Sequence, residues 1–196
     1  MKSTTRNENK EKTYDLLIAS ASSLIKTRGF IKLSIEEVMA KANLTRGSFY
    51  VYFKNKAQLI SKAFSYSVEE SNKNIKSHLD KIDSDPDDCL NDFLEFYLSS
   101  FHSKNTDIGC PIAALSRDFS LANKNQRDDY SRMLSGLFES RRRLLKSSGK
   151  VIDRDKWIAI TASYVGAITL SRASSGTDLS EEILESTKKF LKQELK

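Results

Sequence analysis

The chain has 196 residues, 39% hydrophobic and 30% charged, enough apolar side chains for one compact unit or two small ones sharing a core. That excludes a disordered chain and a collagen-like repeat. Two prolines and seven glycines leave little to interrupt long helices, so an all-α fold is expected.

The formal charge of +6 sits entirely in the first 60 residues, which hold 11 Lys and Arg against 5 Asp and Glu; residues 61–196 hold 21 of each. A basic module on a neutral body is the footprint of a chain that meets a polyanion, with nucleic acid the leading partner. A solvated helix face would give the same charge, so motifs must decide. The longest uncharged stretch, Trp157 to Ser171, is 15 residues, short of the roughly 20 needed to cross a bilayer, so no membrane is expected. The opening MKSTTRNENKEK lacks the apolar core of an export signal, and a cytoplasmic location is expected. Cys89 and Cys110 have no metal-type spacing and read as small apolar residues.

In chain order, Tyr14, Leu17, Ile18, Ala21, Leu24 and Ile25 recur at helical steps, and Gly29 ends that helix. The tail before it, with Lys2 and Arg6, reads most simply as disordered. Ser34-Ile35-Glu36-Glu37 has the capping-box form and starts a second helix through Val38, Met39 and Ala42. Asn43-Leu44 breaks the pattern, and Thr45 offers the N-cap of a third. From about Lys54 to Ile82 a longer pattern predicts a helix of about seven or eight turns. Asp85-Pro86-Asp87-Asp88 reads as the start of the fifth predicted helix, bearing Leu90 to Phe101, followed by a polar loop from His102 to Gly109. The sixth restarts at Cys110-Pro111 and runs to about Ala122; the seventh runs from about Asn125 to the Ser147-Ser148-Gly149 turn. Asp153 and Ser180 are the expected caps of the eighth and ninth, giving about nine helices and no strand.

Two short helices joined by a tight turn, inside the basic part of the chain, are what a helix-turn-helix needs. Thr45, Arg46 and Ser48 supply hydrogen-bonding groups, Gly47 permits close backbone approach, and Tyr50, Tyr52 and Lys56 can reach phosphates. Phe49 and Phe53 would anchor the helix from below.

The run from about Glu11 to Ser71, centred on RGFIKLSIEEVMAKANLTRGSFYVYFKNKAQLISKAF, resembles the N-terminal domain of the TetR/AcrR family of bacterial transcriptional regulators. Gly29, Ser34, Val38, Ala42, Leu44, Thr45-Arg46-Gly47, Tyr50, Phe53, Lys54 and Lys56 carry the resemblance. It implies a DNA-binding domain over 11–71, with the helix-turn-helix at 34–53. Thr45, Arg46, Ser48, Tyr50 and Tyr52 would face double-stranded operator DNA, with Lys56 on the phosphates. Tyr52 stands where many relatives have histidine, and a tyrosine still donates to a phosphate. Residues 72–196 would be an effector-binding and dimerisation domain, in which GCPIAALSRD, GAITLSRASSG and LSEEILESTKKFL look like one branch of these regulators. The last two helices would then form a homodimeric four-helix interface. Ala159, Ala162, Ser163, Gly166, Ala167 and Ala173 give a small-residue surface, and Ile183, Leu184, Thr187, Phe190, Leu191 and Leu195 a facing stripe.

Phe93, Phe96, Tyr97, Phe101, Phe119, Tyr130, Phe138 and Trp157 are candidates to line an effector pocket, or are simply core. Cys110, at a helix N-cap, is either a thiol-based redox sensor lining that pocket or a buried small residue. Arg141-Arg142-Arg143 reads as a solvated face rather than a second anionic site. Neither histidine, His78 or His102, sits in a catalytic pattern. With no Gly-rich phosphate loop, spaced Cys/His set or nucleophile elbow, neither enzyme, metal nor cofactor is expected. The expected function is a repressor that binds a palindromic operator as a dimer and is released by a small molecule. The alternative is a DNA-binding regulator with no ligand.

Overall fold

A computed structural model of the chain describes residues 2–83, 85, 88–144 and 152–195, and among these every regular element is helical. The order is α1 (Lys2–Arg28), α2 (Ile35–Lys41), a 3-10 turn (Arg46–Ser48), α3 (Phe49–Tyr52), α4 (Lys56–Lys81), α5 (Cys89–Tyr97), α6 (Ser100–Lys104), α7 (Pro111–Ser120), α8 (Lys124–Leu144), α9 (Arg154–Ala173) and α10 (Asp178–Glu194). No helix among the described residues is long and apolar enough to cross a membrane.

The added helix, α6, falls in the stretch expected as a loop. The Ser99 hydroxyl accepts the His102 amide at 3.2 Å and caps it, so Phe101 belongs to α6 and not to the preceding helix. α5 starts only at Cys89, with Asp88 at its N-cap; the Asp85 carbonyl accepts the Asp88 amide at 2.9 Å in a turn. Pro86 and the Ser147-Ser148-Gly149 turn lie outside the described residues. α10 is capped by Thr177. Ser180, the expected cap, is buried instead, its hydroxyl donating to the Ser171 carbonyl at 2.9 Å. The tail expected as disordered continues α1 from Lys2. It holds no glycine or proline, and a helix already nucleated extends at one hydrogen bond per residue.

Two apolar cores share α4. The first gathers Leu17, Ile25, Val38, Phe49, Phe53, Leu59 and Phe64, and reaches across to Leu115 and Phe119 on α7. The second gathers Ile75, Leu79, Leu90, Phe93, Leu94, Tyr97, Leu137, Trp157, Tyr164 and Leu184. α4 thus runs through both, with Ser67 and Ser71 buried between them. α9 and α10 pair as a helical hairpin across the Ser174 to Thr177 turn, and a buried Ser103–Ser171–Ser180 hydroxyl chain, at 2.8 and 2.9 Å, ties α6 to both.

Candidate nucleic-acid interface and ligand cleft

The reading head is built from local chemistry. The Ser34 hydroxyl accepts the Glu37 amide at 3.1 Å, and the Glu37 carboxylate accepts the Ser34 amide at 2.7 Å, closing the capping box that starts α2. Those bonds from Ser34 hold the Glu37 carboxyl below the usual carboxylate range, with Arg28 adding to them. Asn43, at φ 56°, turns the chain, and the Leu44 amide reaches back to the Met39 carbonyl at 2.9 Å. Thr45 stands at the N-cap of the 3-10 turn but makes no side-chain cap bond; its carbonyl accepts the Ser48 hydroxyl at 2.7 Å. Phe49 and Phe53 are buried beneath, and Tyr14 stacks on Phe53 at 5.4 Å.

This arrangement lifts one short edge clear of the body. Thr45, Arg46 and Gly47 are exposed, and Tyr50 is 68% exposed. A Cβ built on Gly47 would meet nothing within 4 Å, so packing gives no reason for a glycine there. The Arg46 guanidinium pairs with Glu36 at 2.6 Å. The other expected contacts are committed within the chain. The Ser34 hydroxyl is spent on its cap, Lys56 Nζ donates to the Ile31 carbonyl at 3.1 Å, and half-buried Tyr52 leans on the first core.

The expected pocket aromatics separate into two groups. Phe119 and Tyr130 stack at 4.5 Å against Phe64 in the first core, where Phe119 lines a separate cleft of about 350 Å³ with Ile60 and Met133. Phe119 lies on α7 and Tyr130 on α8, and both helices pack against α4 at the first core. Phe96, Tyr97 and Phe101 line a cavity of about 300 Å³ between α4, α5 and α6, together with Ser71, Ile75 and His78. Phe93 and Trp157 are packed in the second core, and Phe138 is half-buried against it. Cys110 is fully buried at the N-cap of α7, with Tyr97 beside it. That burial closes the thiol to an oxidant in this conformation, and neither Cys89 nor Cys110 is in a disulfide.

Arg141 corrects the expectation of a solvated face. It is 1% exposed. Its guanidinium donates to the Tyr164 hydroxyl at 3.2 Å, the Ser71 hydroxyl at 3.3 Å and Asn72 Oδ1 at 3.4 Å, and lies 5.9 and 5.7 Å from the ring centres of Phe93 and Tyr97. Leu134, Leu137 and Arg141 share helical spacing, and that was the sequence signal that it points inward. Sequence reasoning also missed His102, whose ring Nδ1 lies 2.6 Å from the Tyr97 carbonyl while Nε2 accepts the Cys110 amide at 3.1 Å. The Tyr97 carbonyl can only accept, so Nδ1 carries the proton and the ring is neutral. Burial lowers its pKa to about 4.

Of the expected interface residues, Ala159, Ala162 and Phe190 are exposed, and Ser163, Gly166, Ile183 and Thr187 half-buried. Ala167 and Leu191 instead face the chain's own core, 4% and 1% exposed, because they fall on the sides by which α9 and α10 grip the rest of the fold.

Residues 17–63 match the model of the family described as bacterial regulatory proteins, tetR family. The Transposon Tn10 TetC protein of Escherichia coli is 40% identical over 63 residues, 32% of each chain. The HTH-type transcriptional regulator EthR of Mycolicibacterium smegmatis is 22% identical over 151 residues, 77% of this chain and 58% of that protein. The matched stretch therefore spans about a third of the length of the first relative and under two thirds of the second. The crystal structure of a TetR transcriptional regulator from Chloroflexus aurantiacus superposes with a TM-score of 0.74 at 21% identity, over 95% of this chain and 97% of the other.

Proposed function

The chain belongs to the tetR family of bacterial regulatory proteins, a family of DNA-binding transcriptional regulators and not of enzymes, and we propose that it is a dimeric cytoplasmic repressor released from a palindromic operator by a small-molecule effector. On this reading residues 11–71 are the DNA-binding domain and 72–196 the effector and dimer domain.

The observation that carries the reading is the edge of Thr45, Arg46, Gly47 and Tyr50, exposed in the net-basic part of the chain above the buried anchors Phe49 and Phe53. A short helix so raised fits a major groove, where Thr45 and Arg46 meet base edges and Tyr50 a phosphate. Gly47 lets the backbone approach. Ser34, Ser48 and Lys56 serve the interface through their amides or by holding its loops, and Tyr52 sets the height of the helix. A two-fold dimer places two such edges on one face of the duplex, and the linkage raises affinity well above that of one head.

The effector acts by population shift: it favours a dimer whose heads are spaced wrongly for the two half-sites. Helix α4 is the lever, because one helix lies in both cores and lines the cavity that opens between α4, α5 and α6. That cavity favours an effector-responsive regulator over one with no ligand.

Selection of bound sequences from a random duplex library by the purified protein, at two salt concentrations, tests the reading. An enriched palindrome with steep salt dependence is expected. Binding with no enrichment at either salt concentration would overturn it.

A further inference from the structure

Arg141 is an anomaly of charge. The other buried cation of the second core, Lys188, meets two carboxylates, Glu95 at 3.0 Å and Glu185 at 2.8 Å. Arg141 is buried more deeply, and no carboxylate among the described residues lies within 4 Å of it. Its partners are two hydroxyls, one amide oxygen and two aromatic faces. Burial works against its charge, and the neighbours that offset this are Tyr164, Cys110 and Tyr97, none of them a carboxylate. A guanidinium has five donors in a planar fork and stays charged in proteins, so a buried one with only neutral partners is a standing cost to the fold.

Helices α5 and α9, which flank that charge through Tyr97 and Tyr164, also carry buried polar atoms short of partners. The Tyr97 hydroxyl, on a residue 1% exposed, has only the weakly bonding Cys110 thiol beside it, and Trp157 Nε1 and Thr161 Oγ1, one turn apart on α9, have no hydrogen-bond partner. Buried orphans of this kind are uncommon in native folds. Tyr97 and Ser71 each touch both features: they flank Arg141 and they line the cavity between α4, α5 and α6. The rest of the wall is mixed: Ile75, Phe96, Phe101 and Ile108 supply an apolar side, and Asn74, Ser77, Lys81 and the two histidines a polar one, so Arg141 variants are what separate its role from that of the exposed Lys81. The guanidinium and the cavity therefore share two neighbours, Ser71 and Tyr97.

We propose that Arg141 anchors an anion site and that the effector is an amphipathic carboxylic acid, its apolar body in this cavity and its carboxylate on the guanidinium. The proposal rests on the effector reading above and narrows it to a chemical class. A carboxylate accepts two parallel N–H bonds from the fork, supplying the missing charge, and can take a bond from Tyr97 as well. Seating it displaces Ser71, which lies on α4, and so moves the lever that reaches the reading head. A cavity of about 300 Å³ suits an acid of about ten heavy atoms.

The test uses the full-length protein and matched probes that differ only in charge: octanoate against octanamide, and 4-phenylbutyrate against 4-phenylbutyramide. Melting temperature and calorimetric titration read binding; displacement from the selected duplex reads function. The acids are expected to raise the melting temperature and the amides not. Arg141→Lys, which keeps the charge and loses the fork, should bind the acids about tenfold more weakly, and Arg141→Met should lose the preference for them altogether. Equal binding of acid and amide by the wild-type protein overturns the proposal whether or not either variant folds, and so does failure of both acids to bind at 10 mM (about ten times a weak millimolar Kd). Acids that bind through Arg141 and leave the protein on its operator would keep the anion site and defeat the effector reading. Amides that bind equally and release the operator would do the reverse.

Discussion

Asp118 on α7 accepts the backbone N–H of Phe30 at 2.5 Å, and the same oxygen accepts that of Ile31 at 3.1 Å. The carboxylate therefore closes the turn between α1 and α2 from 88 residues away. Gly29, at φ 75°, makes room for it: a Cβ there would collide with Asp118 Oδ2. The reading head is thus fastened to α7 and to whatever moves α7. Asp118→Ala leaves two amides without their acceptor, the Phe30 amide buried, and should cost about 2–4 kcal/mol, seen as a lower denaturant midpoint. Gly29→Ala should cost more in the wild-type protein than in the Asp118→Ala background, where only the strain of the left-handed backbone remains. Equal costs in both would show that the two residues do not share this contact.

The exposed edge of the head makes a prediction with an unusual sign. Glu36 holds Arg46 at 2.6 Å, and the same carboxylate would face the negative surface of DNA. Both side chains are more than half exposed, so the pair contributes little to stability. Glu36→Gln should leave the melting temperature within about 2 °C and strengthen operator binding about two- to fivefold, as Arg46 is freed and a repulsion removed. Arg46→Ala should relax specificity at one base position per half-site. Gly47→Ala should fold normally, since the added methyl meets nothing within 4 Å, yet weaken operator binding; undiminished affinity would move the protein–DNA contact away from this turn.

What was legible beforehand divides by range. The Ser34–Glu37 capping box, the Asn43-Leu44 break and the buried Phe49 and Phe53 pair depend on neighbours a few residues apart, and the sequence shows those neighbours directly. The long helix after Lys54 was legible for the same reason. Asp118 was not, because its two partners belong to a turn on the far side of the chain. Arg141 was hidden by its company: in a run of three arginines, charge pointed to solvent while the Leu134–Leu137 spacing pointed to the core. Phe119 and Tyr130 had the right chemistry for a pocket, but only the packing of α7 and α8 against α4 decides which core an aromatic joins.

His102 predicts how the fold responds to acid. In the native state the ring is neutral, with burial holding its pKa at about 4, whereas in the unfolded chain it titrates near the usual 6.5. Between those values the unfolded state binds the proton and the folded state refuses it, so stability falls as pH drops from 6.5 towards 4. The contribution is at most about 3 kcal/mol. Other groups also titrate in this range, so the contrast with His102→Gln isolates this one. The wild-type protein should lose more stability than the variant between pH 7 and pH 5. Parallel stability profiles would show that His102 is charged, or exposed, in the native state.

The dimer prediction turns on Phe190. This side chain is 54% exposed on α10, and Leu170 is 58% exposed on α9, while Ala159 and Ala162 leave the surface of α9 low enough for another helix to approach closely. Leu191, one residue along, is buried, so the inward face of α10 is already occupied by the chain's own core and the Phe190 side is the one free to pair. Phe190→Asp places a charge in the centre of the proposed four-helix contact without touching a buried residue. Each protomer should therefore stay folded, with unchanged helical content, while sedimentation shifts from dimer to monomer. Separate heads lose the gain from linkage, so operator affinity should fall about a hundredfold or more, with binding to a single half-site little changed. A Phe190→Asp protein that sediments as a dimer and binds the operator normally would place the interface on another face, and the expected roles of Ala159, Ala162, Ile183 and Thr187 would fall with it.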